Sequence, residues 1–359
     1  MNLKKVFVAT AIASSFCFAL TSQEHTNINI FKNNKDSVVF ISTSKKIIDY
    51  STLTKYIVPR GSGSGFIWNK NGYIVTNYHV VRGASSATVK LSDGKSYKAF
   101  PVGSYPRRDI TVLKINAPKD ELKPIKVGDS DSLQVGQSVY AIGNPYGLDW
   151  TMTKGIVSAL NRKITFRDGQ VMSGAIQTDA AINPGNSGGV MFDSSGKAIG
   201  MNSAIYSPSG GSVGIGFAIP INMVQRVVDK IIKYGHYIKP SIGIESDEIT
   251  NNYLNHTLNI KGVAILGVLR GSDAYNKGLI PAQLYSDGSI NFGDIIVAVD
   301  GKKVSSVTDM DDILEKHKVG DIVNITILRG RDKRVVPIKL TGLNGWLDYA
   351  QLPQQEQRY

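Results

Sequence analysis

A serine hydroxyl attacks an amide only when a base takes its proton and hydrogen-bond donors receive the oxyanion that forms. The stretch Asn183-Pro184-Gly185-Asn186-Ser187-Gly188-Gly189 sets such a serine among glycines. Glycines let the backbone turn sharply and keep side-chain bulk away from a substrate. The N–H groups of Gly185 and Ser187 are then candidate oxyanion donors. Alone, the same stretch reads equally as a Gly/Pro/Asn-rich surface turn, and a suitable base is needed to separate the two. The chain has five histidines, His25, His79, His236, His256 and His317. Only His79 directly follows an apolar strand in the β-rich part, within Thr76-Asn77-Tyr78-His79-Val80-Val81. An imidazole titrates near neutrality, so it can take a serine proton and pass it to a leaving amine. A lone histidine is nevertheless more often a satisfied structural one. The base in turn needs an acceptor that fixes its tautomer. Asp109, in Arg107-Arg108-Asp109-Ile110-Thr111, enters an apolar strand from its polar end. It is either that orienter or a strand-edge carboxylate paired with Arg107 or Arg108.

Short strands must bring these three together. Phe66-Ile67-Trp68 and Tyr73-Ile74-Val75-Thr76 flank Asn71-Gly72, which is a hairpin signature. Further strands are expected at 38–41, 86–91, 98–102, 111–115, 138–142, 155–160, 175–178 and 198–202, with residues 23–36 a loosely held polar arm and 45–60 a loop. Many short strands with glycine-rich turns indicate antiparallel sandwiches or barrels. The first clear helical period spans 221–233, with Val224, Val227, Val228, Ile231 and Ile232 on one face and Gly235 as its cap. A first domain over 30–235 ends there. A second unit over 240–342 follows, with strands at 262–269, 294–299, 321–328 and 334–340. Its helices are expected at 273–277 and 307–317, the latter opened by a capping-box-like Ser306 and Asp309. A polar tail occupies 343–359.

With 359 residues, both units can bury a core of their own. The formal charge of +12 raises the question of nucleic acid, but the cations are scattered and form no stripe interleaved with aromatics. A solvated basic surface without a nucleic-acid role is the expectation. Lys4 and Lys5 precede an apolar run that is short for a membrane span, so residues 1–22 read as an export signal with an uncertain cleavage site. A retained membrane anchor is the competing reading. The single cysteine, Cys17, falls inside this segment, which leaves the mature chain without disulfide or thiol chemistry. The histidines lack metal-ligand spacing and there is no phosphate loop, so no metal or organic cofactor is implied.

The order His79, Asp109, Ser187 is that of chymotrypsin and differs from the subtilisin and α/β-hydrolase orders. With their flanks, these residues resemble the HtrA/Deg family of exported chymotrypsin-fold serine proteases carrying PDZ domains. The matching stretches include Gly63-Ser64-Gly65-Phe66-Ile67, Gly143-Asn144-Pro145-Tyr146-Gly147-Leu148 and Gln177-Thr178-Asp179-Ala180-Ala181-Ile182-Asn183. Thr153-Lys154-Gly155-Ile156-Val157-Ser158-Ala159 and Gly214-Ile215-Gly216-Phe217-Ala218-Ile219-Pro220 match as well. The resemblance implies a mainly β chain, in which a chymotrypsin-like double antiparallel β-barrel precedes one α+β PDZ domain.

It also implies an ATP-independent serine endopeptidase of the cell envelope, acting on unfolded or damaged proteins in quality control under stress. Ser187 would be the nucleophile, His79 the base and Asp109 its orienter. Ile215, Gly216 and Phe217 match the positions that shape the S1 pocket, and with nothing anionic there a small or medium apolar P1 residue is expected. Ser241-Ile242-Gly243-Ile244 matches the PDZ loop that binds a peptide carboxylate, with Ile313 and Leu314 as candidate groove walls. Ser241 stands where many relatives carry an aromatic residue, and residues 280–291 form a long segment. Trypsin-like zymogens carry an aspartate before the serine to pair with a freed amino terminus. Here that residue is Asn186, so activation is expected from loop ordering. The family forms homotrimers or larger homo-oligomers. Two other readings fit: a membrane-anchored stress-signalling protease, and a chaperone or peptide binder with a resting protease domain.

Overall fold

The computed structural model describes residues 20–49, 51, 54–165, 171–205, 213–256, 258–285 and 289–343. The expected export signal, up to residue 19, and the tail from residue 344 lie outside them. Strands β1 (Val38–Asp49), β2 (Thr54–Ile67), β3 (Tyr73–Thr76), β4 (Ser86–Lys90), β5 (Ser96–Tyr105) and β6 (Ile110–Lys114) close into an antiparallel barrel in the order β1-β2-β3-β6-β5-β4. Strands β7 (Ser138–Gly143), β8 (Thr151–Thr165), β9 (Val171–Thr178), β10 (Val190–Phe192), β11 (Ala198–Ile205) and β12 (Gly216–Pro220) close a second, in the order β10-β11-β12-β9-β8-β7.

Strand side chains alternate between faces, and here both faces are apolar because both are buried. Ile67, Ile74 and Leu113 fill the first barrel, while their neighbours Phe66, Val75 and Val112 turn outward into a core between the barrels. In the second barrel Val139, Ala141 and Met191 point inward, and Tyr140, Ile142, Val190 and Phe192 join that shared core. The nucleophile and its base therefore approach across a packed seam rather than along one sheet. Helix α3 (Ile221–Tyr234) lays Ile221, Val224, Val227, Val228 and Ile231 onto the same core. Gly235 ends the helix at φ +79°, donating its N–H to the Ile231 carbonyl.

Several expectations need correction. The polar arm is instead helix α1 (Ser22–Asn34). Thr21 and Glu24 cap it reciprocally: the Glu24 carboxylate accepts the Thr21 N–H at 2.6 Å, and the Thr21 hydroxyl accepts the Glu24 N–H at 3.2 Å. An asparagine-rich composition conceals a helix whose anchor is Ile30, buried in the inter-barrel core. Residues 45–60 are no loop, since β1 and β2 pair from Val38↔Phe66 out to Asp49↔Thr54. The outer arms lack apolar alternation because much of their surface is exposed, and ladder pairing alone identifies them.

In the C-terminal unit the strands Val263–Ala264, Asp294–Val299, Ile322–Arg329 and Asp332–Lys339 form one sheet around a separate core. Lys239–Ser241 pairs with Thr341–Leu343, which ties the unit's beginning to its end. Helices α4 (Glu248–His256), α5 (Asp273–Asn276) and α6 (Val307–Leu314) complete it. The expected strand at 262–269 is broken into Val263–Ala264 and Gly267–Val268, which pair in different sheets. At the start of α6 the Ser306 hydroxyl accepts the Asp309 N–H at 3.0 Å, as a capping box requires. The Asp309 carboxylate, however, returns to the Ser305 N–H at 3.1 Å, one residue earlier than expected.

Candidate active site

Helix α2 (Tyr78–Val81) carries His79 just after β3. Its N-cap residue, Asn77, makes no side-chain cap bond. Asp109 supplies one from thirty residues away, its Oδ1 accepting the His79 N–H at 2.9 Å. Its Oδ2 accepts from His79 Nδ1 at 2.7 Å and from the Ser203 hydroxyl at 3.0 Å. Facing a carboxylate, which only accepts, a neutral imidazole keeps its proton on Nδ1 and its lone pair on Nε2. The Asp109 carbonyl accepts from the Tyr78 N–H and the Asn77 side-chain amide, each at 3.1 Å. Asp109 is buried and sits at φ +54° in the left-handed region, which aspartate tolerates better than most residues. That kink at the end of the Pro106–Arg108 turn separates Asp109 from the arginines before it.

The alternative pairing of Asp109 with Arg107 or Arg108 is therefore not the one formed. Arg108 donates through Nε and Nη2 to Glu315 Oε2 at 2.9 and 2.7 Å, and Arg107 pairs with Asp311. Both partners lie at or just past α6, so the residues preceding the orienter bind the C-terminal unit.

Ser187 faces His79 across a cavity of about 490 Å³, which Arg60, Ile182, Asn183 and Ser203 also line. Its hydroxyl donates to the Ser203 carbonyl at 2.9 Å. The Asn186 N–H donates to the Asn183 carbonyl at 2.9 Å with Gly185 at φ +97°, which closes a type II turn with proline and glycine at its two central positions. A side chain at Gly185 would oppose that φ. Among the described residues the Gly185 and Ser187 N–H groups donate to no carbonyl. Asn186 is buried, and its Oδ1 has no hydrogen-bond partner among the described residues. Asn144 and Asn202, close behind, also carry unpartnered side-chain atoms.

Phe217, on β12, is buried in the inter-barrel core, Ile215 just before that strand packs half-buried against it, and none of the expected S1 residues Ile215, Gly216 and Phe217 lines the cavity. Gly216 lies behind the wall, since a Cβ there would stand 2.7 Å from Ile182 Cγ1. Val80, Ile182 and Pro184 are the apolar residues that line the cavity, and the sequence reading assigned none of them to it. Ser203 was missed too, because a serine near a strand end carries no local signal of its carboxylate partner.

In the C-terminal unit Ser241, Ile242 and Ile244 are buried, and Gly243 turns at φ +80° with its N–H donated to the Ser241 hydroxyl at 3.0 Å. The side chains of this loop are thus packed inside the unit. Leu314 packs into the core and Ile313 lies half-buried against it.

Comparison with known proteins gives a trypsin-like peptidase domain over residues 63–201 and a PDZ domain over 240–340. The chain is similar to the chloroplastic protease Do-like 1 of Arabidopsis thaliana, at 44% identity over 333 residues covering 92% of this chain and 75% of that one. A probable periplasmic DegP-like serine endoprotease of Brucella suis is 40% identical over 290 residues, covering 79% of this chain and 53% of that protein. Among solved structures, the HtrA-type protease AlgW with decapeptide superposes with a TM-score of 0.67 at 32% identity, over 88% of this chain and 98% of that one.

Proposed function

From the chain's membership of the Do-like, HtrA-type family of serine endoproteases, we propose a mechanism in which Ser187, His79 and Asp109 act as one unit. The chain is a serine endoprotease with a PDZ domain, and the observation that carries the mechanism is the 2.7 Å bond from His79 Nδ1 to Asp109 beside Ser187 in one cleft. Rotation about χ1 moves the Ser187 hydroxyl from the Ser203 carbonyl to His79 Nε2, a change between staggered rotamers. The oxygen attacks the scissile carbonyl while Nε2 takes its proton, and Asp109 stabilises the imidazolium. The Gly185 and Ser187 N–H groups receive the oxyanion. Nε2 then protonates the leaving amine, and a water repeats the sequence to release the acid.

An apolar wall that includes Ile182, with no acidic residue among the described residues lining the cavity, suits a small or medium apolar P1 residue. Accessible apolar segments of unfolded proteins fit such a cleft, and peptide C-termini fit the PDZ unit by addition to a sheet edge. Bacterial relatives named periplasmic support an exported protease, to which we assign a quality-control role. The Arabidopsis relatives are named chloroplastic, and sequencing the mature amino terminus decides between export with cleavage and a retained anchor. A homotrimer packed through residues near α1 is the expected assembly, checked by sedimentation.

The central test is casein digestion by wild type and Ser187→Ala. The variant is expected to fold normally and lose activity on the order of a millionfold, as triad members acting together require. Undiminished digestion by Ser187→Ala would sink the mechanism, as would a wild type that never reacts with a fluorophosphonate.

A further inference from the structure

The polar groups of one buried residue converge on the nucleophile turn. Ser64, on β2, is wholly buried. Its N–H donates to the Ser187 carbonyl at 2.8 Å, and its hydroxyl donates to the Gly185 carbonyl at 2.7 Å. The hydroxyl also accepts the Asn144 N–H at 2.8 Å, and the Ser64 carbonyl accepts the Thr76 hydroxyl at 2.7 Å. Gly185 and Ser187 are the residues whose N–H groups would meet the oxyanion. One residue of the first barrel thus holds the carbonyl of each, and Asn144, just past β7 of the second barrel, holds that residue in turn. The fit is close: a Cβ at Gly188, itself at φ +83°, would stand 2.1 Å from the Ser64 carbonyl oxygen.

The turn needs such a hold. A type II turn becomes type I when its central peptide flips. Here that peptide is Pro184–Gly185, and the flip would reverse the direction of the Gly185 N–H. No ionic anchor is available at the neighbouring residue, because Asn186 is neutral and its buried Oδ1 is unpartnered among the described residues. The adjoining Gly185–Asn186 peptide is held at both ends instead. Its N–H donates to the Asn183 carbonyl at 2.9 Å, and its carbonyl accepts from the Ser64 hydroxyl.

We propose that the Ser64 hydroxyl is the positioning group of the oxyanion hole, fixing the Gly185–Asn186 peptide and with it the place of the Gly185 donor. Ser64 touches no substrate and acts through Gly185. The inference rests on the protease mechanism above and adds to it the residue that sets one of its two donors.

Ser64→Ala tests this, since it keeps the N–H bond to Ser187 and removes only the hydroxyl. On a peptide amide, kcat is expected to fall on the order of 10- to 100-fold, less than deletion of a donor outright, with KM within about twofold. Affinity for a peptide boronic acid, whose tetrahedral adduct puts an oxygen in the hole, falls by a matching factor. Ser64→Thr, which keeps the hydroxyl, restores most of both. Hydrogen exchange at the Asn186 amide, measured without substrate, rises about tenfold or more in Ser64→Ala as the turn loosens. Unchanged kcat and boronate affinity in folded Ser64→Ala overturn the proposal, and so does a loss confined to KM. If Ser64→Ala does not fold, Ser64→Cys, with a weaker donor in similar volume, gives the same comparison. A wild type without turnover would defeat the protease mechanism instead, and Asn186 exchange would still decide for or against Ser64.

Discussion

The turn at 106–109 feeds two polar clusters built in opposite ways. Toward the C-terminal unit the materials are full charges: Arg108 meets Glu315 and Asp312, while Arg107 and Lys239 both meet Asp311. The Tyr105 hydroxyl adds a bond to Glu315 Oε1 at 2.5 Å, and burial together with that carboxylate holds the phenol well above its ordinary pKa. Burial alone would lower the Arg108 pKa, but Glu315 and Asp312 outweigh it and raise it. Toward the cleft the materials are almost all neutral. Behind a single carboxylate, Asp109, stand hydroxyls and amides, namely Ser64, Thr76, Asn144, Asn186 and Asn202, several with unpartnered atoms.

The difference has a physical consequence. A buried ion cluster has few acceptable arrangements, because moving one member strands the charge of another. A neutral cluster strands only dipoles, so it can change its hydrogen bonds at smaller cost. The first is suited to fixing the C-terminal unit against the protease barrels. The second would suit a nucleophile turn that orders without cleavage of the chain, which is the expectation the neutral Asn186 raises.

The sharpest way to separate the two clusters is to change adjacent residues. Asp109→Asn keeps shape but removes the acceptor for Nδ1–H, and kcat is expected to drop about ten-thousandfold with little change in melting temperature. A loss of fold instead of rate would mean that Asp109 is structural. Arg108→Met should do the reverse at first hand, leaving Glu315 buried without its cation. Destabilisation of about 3–5 kcal/mol is expected in chemical denaturation. The double variant Arg108→Met/Glu315→Met should regain most of that, and a double variant as unstable as the single would contradict the ionic account.

Asn186→Asp probes the neutral side. A carboxylate placed there without a cation has a raised pKa, so the folded state resists its ionisation. Stability should match wild type below about pH 4 and fall as pH rises, reaching a deficit of about 2–3 kcal/mol at pH 7. A pH-independent deficit would show that charge is not the cause. The smallest effect concerns Asp309. Burial would raise its pKa, but bonds from Lys163, Ser305 and Ser306 bring it below the ordinary value. Its contribution is then complete above the unfolded carboxylate pKa and disappears as pH falls through the lowered folded one. Asp309→Asn should flatten the acid limb of the stability profile slightly, as measured by melting temperature between pH 5 and pH 2, and an unchanged limb would show that the ionised Asp309 adds no stability.

How much was legible beforehand varies by element. Strands with both faces buried announced themselves as apolar β-branched runs, and α3 by its Val/Ile period. Helix α1 and the outer arms of β1 and β2 did not, since exposed or asparagine-rich segments carry little hydrophobic pattern and are fixed by caps and pairing. Residues 79, 109 and 187 could be named from type and order. Ser203, Ile182 and Ser64 could not be picked out, because their contacts at the site are with neighbours far away in the chain.

By itself the chain's covalent order determined which chemistry was available: one histidine, one aspartate and one serine set beside suitable strands, with a neutral residue where a zymogen would need a charge. Tertiary packing decided the direction each group faces. The left-handed kink at Asp109 turned one carboxylate to the imidazole and two guanidinium groups away from it. Closure of two barrels against a shared core then brought Ser64 under the oxyanion turn, a contact between residues more than a hundred apart that no local pattern encodes.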